Sequence, residues 1–238
     1  MAVRPFRAKV LKIRHLTRNI REMTLQMLEP LELSFQPGQS VAVTVPDPSS
    51  GSSLLRYYSL ASPPHSSKQL VLLLNSHDRG KGSTFLLENE IGADLEMSGP
   101  YGSFTLQHEI DRELFFVGTG TGIAPLWSMV ATLLAQPSAQ PITLLWGLRS
   151  ESDRYYLHEL ESWKTQHENF SYVLTLSQPS LGWQGETGRV TDMLQALSTV
   201  DHLAVYVCGN GRMVKEVTNL LNKKGECAIY RERHHGDS

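Results

Sequence analysis

Leu114-Phe115-Phe116-Val117-Gly118-Thr119-Gly120-Thr121-Gly122-Ile123-Ala124-Pro125-Leu126-Trp127-Ser128-Met129-Val130 is the stretch on which the fold turns. Its four leading apolar residues have the length and bulk of a strand buried on both faces. Three glycines in five residues follow, and Pro125 then opens an apolar helical run to about Leu134, in a first-turn slot where its missing N–H costs nothing. A strand, a glycine turn and a helix N-terminus make a cradle of backbone N–H groups with positive dipole character, suited to a pyrophosphate. The spacing is Gly-x-Gly-x-Gly, not the Gly-x-Gly-x-x-Gly of dinucleotide-binding units. Alone it does not decide the matter, because glycine turns between strands and helices are also built for purely structural reasons.

Working outward, the chain after about Asp111 alternates strands and helices. Strands are expected at Leu114–Val117, Ile142–Trp146, Tyr172–Leu176, Leu203–Cys208 and Ala228–Tyr230, and helices near 125–135, 153–165, 189–197 and 211–223. That alternation implies an α/β domain with a parallel sheet covered by helices. Ligands of such sheets sit beyond the carboxyl ends of the strands, here Gly118, Gly147, Ser177 and Cys208-Gly209. Before residue 110 the pattern is of short strands, with Met23, Leu25 and Met27 alternating with polar residues, and Val41, Val43 and Val45 doing the same. Gln69–Asn75 is a denser apolar run. One helix is expected, from Ser83 or Thr84 as N-cap to about Glu90. The pattern therefore reads as two domains, a small antiparallel β-barrel over residues 1–110 and an α/β domain over 111–238.

Bulk properties narrow the function. With 238 residues, 40% apolar and a net charge of −2, the chain has real cores and no general attraction to nucleic acid or anionic membrane. No apolar run approaches the roughly 20 residues of a membrane span. Two cysteines, Cys208 and Cys227, fit a reducing, cytoplasmic setting and are too few for an iron–sulfur cluster. The first 21 residues carry seven basic side chains and no acid, as a transit peptide would. However, Phe6, Ala8 and Val10 alternate with Arg7 and Lys9, which favours a first strand with a solvated basic face.

In the barrel half, Arg56-Tyr57-Tyr58-Ser59 puts a cation, an aromatic ring and a hydroxyl into one strand. Arg56 and Tyr58, two apart, share a face. An arginine grips phosphate bidentately, and a tyrosine lies against a flat heterocycle. An ordinary edge strand accounts for the same residues. Gly80-Lys81-Gly82-Ser83-Thr84 is a second glycine-to-helix anion site or, equally, a plain helix cap.

Arg56-x-Tyr58-Ser59, Gly80-x-x-Ser83, Gly118 to Pro125 and Cys208-Gly209-x-x-x-Met213 occur in the order found in the ferredoxin–NADP reductase family, which this chain resembles from about residue 6 to 230. Gly182-Trp183-Gln184-Gly185-Glu186-Thr187-Gly188 is similar to the branch holding flavin reductases and oxygenase-reductase modules. The resemblance implies that the barrel is an antiparallel Greek-key, flavin-binding one and that the α/β domain binds a nucleotide. It also implies an FAD-dependent NAD(P)H oxidoreductase that passes electrons singly to a ferredoxin, flavodoxin or oxygenase component. Alternatives are a free-flavin reductase and a non-catalytic nucleotide-binding subunit. It implies that Arg56 binds the FAD pyrophosphate, Tyr58 stacks on the isoalloxazine and Ser59 bonds near its N5. Gly80, Gly82, Ser83 and Thr84 would hold the diphosphate. Thr119, Gly120, Thr121, Gly122, Ile123, Ala124 and Pro125, with Gly147, would cradle the pyridine nucleotide, and Cys208, Gly209 and Met213 would surround its nicotinamide. Ser59, Tyr58 and Cys208 are the catalytic candidates. No metal is implied. Nicotinamide C4 must approach flavin N5 to about 3–3.5 Å, so alignment is the protein's main task.

Three departures from the family matter. The acid that usually ends the second strand of an NAD site is replaced by Gly147-Leu148-Arg149-Ser150, and Arg149 with Ser150 could meet a 2′-phosphate. After the third strand, where NADP-specific relatives carry Ser-Arg, this chain has Ser177-Gln178, which tips the balance to NADH. Plant-type relatives end in an aromatic residue over the flavin. Here Tyr230 is followed by Arg231-Glu232-Arg233-His234-His235, so either the tail shields that face or it is open. Lys223, Lys224, Arg231 and Arg233 could meet an acidic electron carrier, or simply form a solvated helix end.

Overall fold

The computed structural model describes residues 3–47, 49, 51–76, 80–107 and 112–232. The expected boundary at 110–111, His234-His235 and Arg233 lie outside the described residues. The chain divides into two compact units, Met1–Leu106 with Trp127–Thr132, and Gln107–Leu126 with Leu133–Ser238.

The first unit is built on strands β1 (Arg4–His15), β2 (Ile20–Glu29), β3 (Ser40–Asp47), β4 (Ser52–Ser59), β5 (Gln69–Asn75) and β6 (Asp94–Tyr101), with helix α1 (Lys81–Glu88) before β6. The strands form one antiparallel sheet in the order β4-β3-β6-β1-β2-β5, with β6 inserted between β3 and β1 as in a Greek key. The sheet ends, β4 and β5, meet at an isolated bridge between Leu60 and Leu72, backed by Ala61 N–H to the Val71 carbonyl at 2.9 Å. The basic N-terminal segment is the 12-residue β1, its Phe6, Ala8 and Val10 buried and its charged residues outside. Alternation makes the core: Met23, Leu25, Met27, Val41, Val43 and Val45 all point into one cluster. Each such side chain stabilises the fold by about 1.5–3 kcal/mol relative to exposure.

α1 starts earlier than its hydroxyls suggest. Gly80 is the N-cap in extended backbone, and Ser83 and Thr84 lie inside the first turn, not at the cap. Tertiary contacts described below fix this start and override the local capping preference.

The second unit holds β7 (Glu113–Thr119), α2 (Ile123–Leu134), β8 (Ile142–Leu148), α3 (Leu157–Gln166), β9 (Phe170–Leu176), the two-residue β10 (Glu186–Thr187), α4 (Val190–Ala196), β11 (Leu203–Cys208), α5 (Gly211–Lys224) and β12 (Ala228–Arg231). All six strands are parallel, in the order β10-β9-β8-β7-β11-β12. α4 and α5 bury Val190, Leu194, Val214, Val217 and Leu221 with Val117, Leu145, Val205 and Val207 of the sheet. The helix expected over 153–165 is shorter. A 3-10 turn at Glu151–Asp153, closed by a Ser150–Asp153 capping box, precedes α3, and Tyr156 in left-handed backbone separates them. Among the described residues no helix is long and apolar enough to cross a membrane.

Candidate functional site

In the first unit the two motifs of the barrel half converge. β4 is an edge strand paired to β3, with Val43 opposite Arg56 and Val41 opposite Tyr58. Both side chains are therefore on the core-facing side and half-buried, and Tyr58 packs against the apolar cluster. Gly82, the second residue of α1, sits directly over them. A Cβ there would stand 2.5 Å from Arg56 Cγ and 2.8 Å from the Tyr58 hydroxyl, so only glycine lets the helix come this near. Ser83 hydrogen-bonds the Tyr58 phenol. Burial pushes the Tyr58 pKa up, while that bond and the Arg56 charge pull it back. The phenol is neutral at any ordinary pH. Ser59 ends the strand, half-buried, in register with Ser40.

Gly80 gives the start of α1 no side-chain cap, and a Cβ on Gly80 would meet nothing within 4 Å. Orphan first-turn amides beside an arginine make an anion site. The donor set of Arg56, these amides and the Ser83 and Thr84 hydroxyls fits a pyrophosphate, and the Tyr58 ring beside it fits a flat heterocycle. The chemistry of the residues present therefore fits FAD.

In the second unit the glycine turn is held by groups that sequence reasoning missed. The Gly120 carbonyl accepts from Trp146 Nε1 at 3.2 Å and from the Tyr155 hydroxyl at 3.1 Å. Both aromatics are buried, with rings 4.7 Å apart in edge contact, and burial raises the Tyr155 pKa far above its ordinary value. The sequence presents them as core residues, and only the strand order places them under the turn. The turn itself is a 3-10 turn over Gly120–Gly122, with Ile123, Ala124 and Pro125 buried in the first turn of α2.

Cys208-Gly209 lies against that turn. Cys208 pairs with Gly118 in register, and a Cβ on Gly122 would be 2.5 Å from Gly209 Cα. Gly209 in turn faces the Thr119 hydroxyl and Met213 Cε. Gly147 pairs with Thr119 in register, at the same end of the sheet. Thr119, Gly120, Thr121, Gly122, Gly147, Cys208, Gly209 and Met213 are thus brought together. Asn210 caps α5 by accepting from Met213 N–H at 3.2 Å, which fixes where Met213 stands.

Arg149 and Ser150 stand beyond the end of β8, each with a local partner. Arg149 Nε donates to Gln178 Oε1 at 2.8 Å, and the Ser150 hydroxyl bonds Asp153 at 2.8 Å. Farther along, the Arg154 guanidinium covers the Trp183 ring at 5.1 Å, and Trp183 Nε1 donates to the Glu186 carbonyl.

A third residue that the sequence did not single out is Glu232. Its Oε2 accepts from the Cys208 thiol at 2.8 Å, and its N–H donates to the Val207 carbonyl. Burial, then the nearby carboxylate, raise the Cys208 pKa well above that of a free thiol. The signal was present in the parallel pairing of β11 with β12, which puts Val207 beside Arg231 and Cys208 one step from Glu232. Tyr230 lies in β12, stacked on Tyr206 at 4.9 Å.

Family models match both halves: an oxidoreductase FAD-binding domain over residues 7–106 and an oxidoreductase NAD-binding domain over residues 116–219. A Sorangium cellulosum protein named ferredoxin–NADP reductase B is 32% identical over 97% of this chain and 96% of its own length. The chain belongs to the ferredoxin–NADP reductase family. As a member of that family it is an FAD- and NAD(P)H-dependent oxidoreductase. The electron transfer component of anthranilate 1,2-dioxygenase from Acinetobacter baylyi is 31% identical over 85% of this chain, which spans 59% of that relative's length. Among solved structures, the Amycolatopsis cytochrome P450 reductase GcoB superposes with a TM-score of 0.82 at 24% identity, over 97% of this chain and 71% of that one. At that identity the likeness speaks for the fold.

Proposed function

We propose that this protein is a cytoplasmic FAD-containing reductase that oxidises NADH and delivers the electrons one at a time to a separate ferredoxin, flavodoxin or oxygenase component. The balance is one NADH and two oxidised acceptors giving NAD⁺, one proton and two reduced acceptors. The observation that carries this reading is the Gly82 contact, which joins the uncapped first turn of α1 to Arg56 and Tyr58 as one phosphate-and-ring site. FAD, when bound, supplies the hydride acceptor and the exchange from a two-electron to a one-electron donor.

The chain's own residues do the rest. Arg56, the first-turn amides of α1 and the Ser83 and Thr84 hydroxyls hold the pyrophosphate. Tyr58 presents its ring to the isoalloxazine, and Ser59 offers a hydroxyl to N5. The Thr119–Pro125 turn, stiffened at the Gly120 carbonyl, receives the nucleotide phosphates. Gly209 and Met213 border the nicotinamide end, and Glu232 orients the Cys208 thiol, which stays protonated and packs without acting as a base. The bonds of Ser150 to Asp153 and of Arg149 to Gln178 support NADH over NADPH, since both groups already have local partners. Lys223 and Arg231 fit an acidic carrier, and Lys224 donates to the Gln195 carbonyl.

Stopped-flow mixing with NADH and with NADPH, followed at the visible flavin band, tests the reading. Bleaching by neither nucleotide overturns it, as does failure to reduce any one-electron acceptor. Flavin that elutes apart from the protein on gel filtration would make it a substrate instead of a prosthetic group.

A further inference from the structure

We propose that Asp47 is a positioning residue for FAD, acting through Lys81: their ion pair pins the first turn of α1 to the end of β3 and keeps the anion site facing Arg56. The inference rests on the FAD site proposed above. Three consecutive residues of that turn are tied to three points of the barrel. Lys81 Nζ meets Asp47 Oδ2 at 2.8 Å, Gly82 presses on Arg56 and Tyr58, and Ser83 bonds the Tyr58 phenol.

Asp47 is suited to be an anchor. It is buried, and its Oδ1 accepts from the Ser49 backbone N–H at 3.2 Å and the Ser49 hydroxyl at 2.6 Å. A carboxylate held by several donors stays ionised and fixed, and the Lys81 bond first, then those from Ser49, hold Asp47 well below the usual carboxylate range. Lys81, by contrast, is more than half exposed, so the charged bond and not packing of its stem holds it. A carboxylate against the side chain of the first residue of an anion cradle adds negative charge to that side, which works against phosphate binding unless it serves another end. Holding Lys81, the first residue of α1, is that end.

The two effects have opposite signs, which makes the test decisive. If Asp47 only contributes charge, Asp47→Asn removes a repulsion and tightens FAD. If it positions α1, the same change weakens FAD. The full chain is titrated with FAD and, separately, with riboflavin, which lacks phosphate, by quenching of flavin fluorescence. The expected result is a Kd for FAD raised about 5–10-fold in Asp47→Asn, the scale of one ordinary hydrogen bond lost, with riboflavin affinity unchanged. Lys81→Met, at an exposed position that leaves the core untouched, is expected to match it, and the double variant to be no weaker than the weaker single. FAD binding by Asp47→Asn as tight as the unsubstituted chain, or tighter, overturns the inference. So does an equal loss for riboflavin, or additive losses in the double variant. If the unsubstituted chain takes up no FAD, the proposed function itself fails, and this inference with it.

Discussion

Gly122 and Gly209 touch backbone to backbone: a Cβ on Gly122 would lie 2.5 Å from Gly209 Cα, 2.7 Å from its nitrogen and 2.8 Å from the Cys208 carbonyl oxygen. The turn after β7 and the turn after β11 therefore hold each other in place. Neither can admit a side chain unless its neighbour moves.

Gly122→Ala is expected to displace both turns and lower the rate of flavin reduction by the nucleotide about 10²-fold, the usual cost of an ångström-scale misplacement. FAD content stays unchanged, because FAD is held by the other unit. Stopped-flow rates and the visible-to-ultraviolet absorbance ratio check both halves of this expectation.

Gly82→Ala gives the complementary pattern. Its methyl would collide with Arg56 near the backbone end of that side chain, so α1 must lift. The purified variant should carry much less FAD than the unsubstituted protein, with its circular dichroism spectrum preserved. Full FAD occupancy would place the pyrophosphate elsewhere.

Arg56→Ala should weaken FAD by about 1.5–3 kcal/mol, the scale of a hydrogen bond to a charged group. Equilibrium dialysis measures it. Unchanged affinity would remove Arg56 from the phosphate site.

The Cys208–Glu232 bond has a consequence in pH. Burial first, then the Glu232 carboxylate, raise the thiol in the folded chain above its ordinary value, so the folded state keeps a proton that the unfolded state loses. Its contribution is fully present below about pH 9 and is lost as the solution becomes more alkaline. Denaturant midpoints should therefore fall from pH 8 to pH 10, and Cys208→Ala should flatten that fall. Alkylation of Cys208 by iodoacetamide should be slow in the native protein, since the thiolate is the nucleophile. Rapid labelling at neutral pH would contradict the geometry.

For nucleotide choice, kcat/KM should be higher with NADH than with NADPH. Gln178→Arg is expected to narrow the gap by adding a second guanidinium beside Arg149. A preference for NADPH in the unsubstituted protein would reverse the assignment.

Much of this was legible in the sequence, for physical reasons. The run Leu114–Val117 and the run Gln69–Asn75 are dense in apolar residues, so each reads as a strand, the first as one buried on both faces, and both are strands. The start of α1 did not read correctly. Ser83 and Thr84 are good caps in isolation, but the pull of Asp47 on Lys81 and the fit of Gly82 against Arg56 start the helix at Lys81. Those are contacts across 34 and 26 residues, outside the reach of local pattern. Glu232 was hidden among the charges of the tail, and Trp146 and Tyr155 among ordinary core aromatics. Each acquires its task only from strand order and register.

The two bonds to the Gly120 carbonyl bear on how fast the turn works. A glycine turn free in solution would have to surrender its backbone freedom each time a nucleotide arrived, at about 1–2 kcal/mol per residue ordered. Here folding has already imposed that order, through two buried aromatic donors. A preorganised receptor of this kind loses little affinity to its own ordering. The association rate should then be set by the encounter of nucleotide and turn, with no slow conformational phase before it.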